Sequence, residues 1–146
     1  MNHHGPTLAQ AKTKSRRAAL QALYQWNLGQ QPLLEIERWF LEEQDLRGAD
    51  LKHFRDLLYQ IPKNSQELDN AILGLAEREL NNIDTVEMTA LRIGAYELIY
   101  RTDIPYRVAI DEALELVKRF GAPEGHRFVN GVLNLLATRL QRISVG

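Results

Sequence analysis

KRFGAPEGHRFVNGVLN, residues 118–134, decides whether the chain is read as α/β or as all-α. Gly121, Gly125 and Gly131 sit there among Lys118, Arg119, His126 and Arg127, which is the composition of a phosphate-binding loop. The glycine spacing fits neither GxGxxG nor the GxxxxGK pattern, and both motifs require a preceding strand. What precedes is a helical repeat: Tyr106, Ala109, Ile110, Ala113, Leu114 and Val117 recur at spacings of a 3.6-residue period and end at Phe120–Gly121. Val129, Val132, Leu133, Leu136 and Leu140 repeat that period on the other side. The stretch is therefore a helix stop followed by a helix start. Gly121 is expected in the left-handed conformation that ends one helix, and Pro123 near the first turn of the next.

The same period extends outward. Ala19, Leu20, Leu23, Tyr24 and Trp26 predict a helix over 14–28 that stops at Gly29. Ile36, Trp39, Phe40 and Leu41 predict a second over 33–44, and Gly48 breaks the chain before Asp50 caps a third. From Phe54 through Leu58, Ile61, Ser65, Leu68 and Ile72 to Leu75, a 4,3 spacing runs unbroken across Pro62. Phase kept across a proline favours one kinked helix, with Asn64–Ser65 as the alternative fresh start. Asp84-Thr-Val-Glu87 is an Asp variant of the capping box, opening a helix to about Arg101 with Met88, Leu91, Ala95 and Leu98 inward. Asn130–Gly131 falls inside a helical pattern, so it is no hairpin signal; the pair is expected to serve helix packing, because a helical glycine usually marks a close neighbour. No segment alternates as a strand does. The fold class is all-α, a bundle of six to seven helices, with residues 1–13 a flexible basic tail and 14–146 one domain.

Composition narrows the function. With 45% hydrophobic and 25% charged residues, the 146-residue chain belongs with globular domains large enough to need no staples. It has no cysteine, which excludes disulfides, thiol catalysis and Cys-ligated zinc and fits a reducing, cytoplasmic setting. No apolar run approaches the roughly 20 residues of a membrane span, and no signal-peptide core opens the chain. His3 and His4 are too few and too isolated for a metal site, and the grouped carboxylates Asp111, Glu112 and Glu115, and Glu42 and Glu43, fall on polar helix faces. No nucleophile or metallohydrolase motif occurs, so no enzyme, metal or cofactor is expected.

The net charge of −1 is unevenly spread. Residues 1–17 carry Lys12, Lys14, Arg16 and Arg17 and no acid, residues 116–146 are also basic, and the middle is acidic. Basic ends suit a polyanion if the fold brings them together, and otherwise merely keep the chain soluble. Phe128 lies at the edge of its apolar stripe with His126 and Arg127 beside it. An aromatic among cations at a helix start is how single-stranded nucleic acid is gripped, bases on the ring and phosphates on the charges; the alternative is a core-edge residue.

Four stretches carry a family likeness. AALQALYQW (18–26), EQDLRGADLKHFRDLL (43–58), ALRIGAYELIYRTDIPYRVAIDEALELVKRFG (90–121) and HRFVNGVLN (126–134) resemble, in order, the NusB family of bacterial transcription antitermination factors. The resemblance implies two packed helical subdomains and RNA binding without catalysis. It implies a complex with NusE, a protein of the small ribosomal subunit, on boxA RNA, acting with RNA polymerase and other Nus factors, notably in ribosomal RNA synthesis. A protein-only scaffold that holds NusE without reading RNA is the alternative, and a homodimer is open. Carried over by position, the family's arginine-rich segment falls on KTKSRR, making Lys12, Lys14, Arg16 and Arg17 the phosphate contacts, with lysines where bidentate arginines are common. Tyr24 is a base-facing or supporting aromatic, or helix core. Phe128 matches an RNA-contacting aromatic and Glu124 an acidic position that tunes RNA affinity. Glu87 matches a NusE contact, and a second acidic NusE position falls here on Asn81.

Overall fold

A computed structural model describes residues 5–78 and 82–142, and those residues divide after Pro62 into two compact units, each all-helical. The first unit holds α1 (Leu8–Gly29), α2 (Leu33–Glu43) and α3 (Leu51–Lys63); the second holds α4 (Ser65–Leu73), α5 (Thr85–Tyr100), α6 (Tyr106–Phe120) and α7 (Gly125–Arg139). His3, His4 and Asn81 lie outside the described residues.

The first helix begins at Leu8, six residues before the expected start at residue 14, so residues 8–13 are helical rather than tail. The cause is a capping box: the Gln10 N–H donates to Thr7 Oγ1 at 3.0 Å, and the Thr7 N–H donates to Gln10 Oε1 at 2.9 Å. At the other end Gln30, not Gly29, takes the left-handed conformation, with φ 53°. Gly48, at φ 83°, turns the chain toward α3, and Asp50 accepts the His53 N–H at 3.0 Å as expected of its cap. The Phe40 and Phe54 rings meet at 6.2 Å between α2 and α3.

The ladder across Pro62 is two helices, not one kinked rod. Pro62 lacks an N–H, α3 ends one residue later, and Asn64, at φ −106° and ψ 17°, gives its carbonyl to the Leu68 N–H to start α4. The expected face is nevertheless kept: Phe54, Leu58, Ile61, Leu68 and Ile72 are all buried, with Ser65 and Leu75 at the margin.

In the second unit α5, α6 and α7 pack pairwise and α4 lies on α5. Arg92 of α5 grips Asp69 of α4 through Nε at 2.8 Å and Nη2 at 3.0 Å, a bidentate pair with both side chains mostly buried. Gly94 is where three helices touch. A Cβ there would lie 2.7 Å from Leu133 of α7 and 3.2 Å from Ala113 of α6. Gly131 is the opposite case, since a Cβ would meet nothing within 4 Å and both it and Asn130 are exposed. Close approach belongs to Gly94, and the packing role expected of Asn130 and Gly131 is not theirs. Gly121 differs too: its φ is −102°, in the region any residue adopts. Its lack of a side chain serves contact, because a Cβ would sit 2.9 Å from the Val117 carbonyl oxygen. Leu140, expected inward, ends α7 at 37% exposure.

Candidate nucleic-acid interface

The expected contacts fall in two places, one in each unit. On α1 the basic residues are sorted by helical phase. Arg16 precedes Ala19, Leu20 and Leu23 by three, four and seven residues, so it shares their face. Accordingly it is 1% exposed, and a phosphate contact is not what this position offers. Lys12 lies one turn before Arg16 on the same side of the helix and is engaged: its ammonium lies 3.2 Å from Asp50. Burial works to raise the Asp50 carboxyl, yet the His53 N–H and the Lys12 ammonium outweigh it and hold Asp50 below the ordinary carboxylate range. The loop before α3 is fastened further to α1. The Ser15 hydroxyl donates to the Asp50 carbonyl at 2.6 Å, and the Lys14 ammonium donates to the Arg47 carbonyl. Lys14, Arg17 and Tyr24 are half-buried. A carbonyl is a weaker claim on an ammonium than a carboxylate, so Lys14 and Arg17 keep the charge that Lys12 shares with Asp50.

The second place is the start of α7. Pro123 and the extended Gly121 bring the chain round from α6, and Glu124 takes the N-cap position without a side-chain cap. His126 Nδ1 lies 3.0 Å from the Pro123 carbonyl oxygen, which pins the turn. Arg127 reaches back to Glu124 at 3.3 Å, with both side chains more than three-quarters exposed. Such a pair contributes roughly 0–1 kcal/mol to folding. Its larger effect is on charge, because Glu124 screens the most exposed cation of the turn. Phe128 is half-buried, and the Arg78 guanidinium carbon stands 4.1 Å above its ring centroid.

Beneath this turn lies Glu87. Asp84 caps α5 as expected, accepting from the Val86 and Glu87 N–H groups at 3.0 and 3.2 Å. The Glu87 carboxyl is turned against the first residue of α7: a Cβ on Gly125 would lie 3.0 Å from Glu87 Cδ and 3.0 Å from Val117 Cγ1. Gly125 therefore makes room for Glu87, a contact that sequence spacing does not reveal. Burial and the neighbouring Asp84 charge push the Glu87 carboxyl up, while Arg78 opposes them. At 7% exposure Glu87 offers a partner only an edge.

These features coincide with a match over nearly the whole chain. The sequence pattern of the NusB family fits residues 13–138. Proteins named transcription antitermination protein NusB are similar throughout: that of Shewanella pealeana is 45% identical over 128 residues, covering 88% of this chain and 95% of its own length. The protein of Nitrosococcus oceani is 46% identical over 134 residues, covering 92% and 90%, and that of a Marinomonas strain 43% over 139, covering 94% and 80%. The chain belongs to the NusB family.

For a NusB-family chain the basic ends are less uniform than their count suggests. Arg142, one of the C-terminal cations, spends its guanidinium on the Leu98 and Ile104 carbonyl oxygens, each at 2.5 Å, tying the end of α7 to the end of α5. Lys118 lies 3.7 Å from Glu115. Among the described residues no group of three or more His, Asp or Glu side chains converges to hold a metal, and no helix is long and apolar enough to cross a membrane. Arg78 is the residue that sequence reasoning missed. It sits 50 positions from Phe128, outside the helices, and no periodicity links the two.

Proposed function

We propose that this protein is a non-enzymatic, cytoplasmic transcription antitermination factor that binds boxA-type single-stranded RNA together with NusE. It acts with RNA polymerase and other Nus factors, notably in ribosomal RNA transcription. The observation that carries the reading is Phe128: a half-buried aromatic in the first turn of α7, with the Arg78 guanidinium over its ring. Lys14, Arg17 and Tyr24 supply the contacts on α1, and Lys12 contributes what Asp50 leaves it. Glu124 limits affinity by pairing with Arg127. Glu87 supports the start of α7 and presents its exposed edge to NusE.

One observation favours a second reading, a scaffold that holds NusE without direct RNA recognition: Arg16 is buried and Lys12 is paired, which thins the basic surface of α1. Fluorescence anisotropy decides between them. Labelled boxA-type RNA is titrated with wild type, Lys14→Glu and Phe128→Ala at two salt concentrations, with and without NusE. Direct recognition predicts salt-sensitive binding that both substitutions weaken and NusE strengthens. Capture of NusE with no RNA binding by any variant establishes the scaffold instead.

A further inference from the structure

Phe128 does not present a bare ring. Arg78 lies over it at 4.1 Å from guanidinium carbon to ring centroid, so the covered face is closed to a nucleobase while Arg78 stays in place. Arg78 is itself exposed and makes no hydrogen bond or ion pair with the other described residues. A guanidinium centred over an aromatic ring keeps its five N–H donors for other groups and can offer its own planar surface. Arginine planes take stacked bases as aromatic rings do, and the charge adds attraction for the flanking phosphates.

We propose that Arg78 is an RNA-contacting residue: its guanidinium, supported from below by Phe128, is the platform on which a base of the bound single strand stacks. This rests on the RNA-binding reading given above. Phe128 then acts largely through Arg78, by holding an otherwise flexible side chain in one plane. The Glu87 carboxyl lies against Gly125 at the start of the same helix.

The test is a double-mutant cycle on the full chain with labelled boxA-type RNA, comparing wild type, Arg78→Ala, Arg78→Lys, Phe128→Ala and Arg78→Ala/Phe128→Ala, with thermal melts as the check on folding. Arg78→Ala and Phe128→Ala should each weaken binding about tenfold. The double variant should be no weaker than the worse single one, because the two side chains act as a unit. Arg78→Lys should keep the wild-type salt dependence yet lose most of the affinity, since it retains charge without the plane. If Phe128→Ala weakens binding and Arg78→Ala does not, the platform is overturned and the RNA reading stands. If neither matters, both fall. Losses that multiply in the double variant, full activity of Arg78→Lys, or tighter binding by Arg78→Ala would each overturn it as well, the last by identifying Arg78 as a lid.

Discussion

Gly131→Ala and Gly121→Ala flank the turn that presents Phe128, and the structure assigns them opposite signs. Gly131 is the seventh residue of α7, exposed, with φ in the helical range and nothing within 4 Å of a Cβ. Alanine there gains the full difference in helix propensity, roughly 1 kcal/mol, with no contact to oppose it. Gly121 has an ordinary φ of −102°, so alanine meets no conformational strain and even gains about 0.4–1 kcal/mol from a less flexible unfolded chain. Against that, the new methyl would stand 2.9 Å from the Val117 carbonyl oxygen, 3.2 Å from Val117 Cγ1 and 3.4 Å from Val86 Cγ1. The carbonyl belongs to the last turn of α6 and cannot rotate away, so an overpacking penalty of about 1–3 kcal/mol applies. The net expectation is stabilisation of about 1 kcal/mol for Gly131→Ala and destabilisation of about 1 kcal/mol for Gly121→Ala, a separation near 2 kcal/mol. Urea unfolding with both variants and wild type measures it, and unchanged m-values license the comparison. A destabilised Gly131→Ala would mean that a neighbour fills the space around α7. A neutral or stabilised Gly121→Ala would mean that the turn relaxes freely, and the packing account of that glycine would fail.

Other expectations concern charge. Glu124→Gln releases Arg127 from its partner at 3.3 Å and should raise affinity for boxA-type RNA by up to about fivefold in anisotropy at low salt, with the gain shrinking as salt rises; an unchanged affinity would show that Arg127 does not meet the RNA. Tyr59 donates to Glu37 at 2.5 Å, and burial together with that bond pushes its phenol up to about 12 from an ordinary 10.0. The folded state therefore holds a proton that the unfolded chain has lost between those values, so stability from this group is complete below pH 10.0 and disappears as pH rises through about 12. Ultraviolet titration should show a tyrosine ionising near 12 that Tyr59→Phe removes; its persistence in the variant would refute the assignment. Arg16→Ala should lose about 2–4 kcal/mol in the same urea assay, because a large side chain at 1% exposure leaves a void, whereas Lys14→Ala should change stability little and lower RNA affinity. Equal stability of the two would contradict the burial.

How far the sequence carries depends on whether the deciding contact is periodic. Helices α2, α5 and α6 follow from apolar spacing and capping residues, and their ends lie within about two residues of expectation, as local signals permit. The early start of α1 was legible in Thr7 and Gln10, a capping pair three residues apart, but the polar residues between it and Ala18 carry no stripe. Arg16 was legible as well, since its phase with Leu20 and Leu23 outweighs its charge; counting it among exposed cations ignored the period that had already located the helix. The break at Asn64 was not, because both one helix and two keep the same face inward. Nothing local separates the glycines: Gly94, Gly121, Gly125 and Gly131 differ only in what other helices bring near them.

The candidate site follows the same division. Phe128, Arg127 and Glu124 are neighbours in sequence and were found together, as the helix start that holds them requires. Arg78 and Glu87 reach that place from outside α7, Arg78 over the Phe128 ring and Glu87 against Gly125, where the missing side chain leaves room for a carboxyl. On the proposed reading, the glycine-rich stretch serves recognition through the side chains it presents rather than by binding phosphate through its backbone. Gly121 admits the carbonyl that closes α6, Gly125 admits the Glu87 carboxylate, and the aromatic one turn later receives the Arg78 guanidinium. Charge count alone would place the affinity in the basic ends, yet Arg16 is buried, Lys12 faces Asp50 and Arg142 holds two carbonyls. On the proposed reading, the cations that these two places keep for an RNA are Lys14 and Arg17 on α1 and Arg78 over the Phe128 ring.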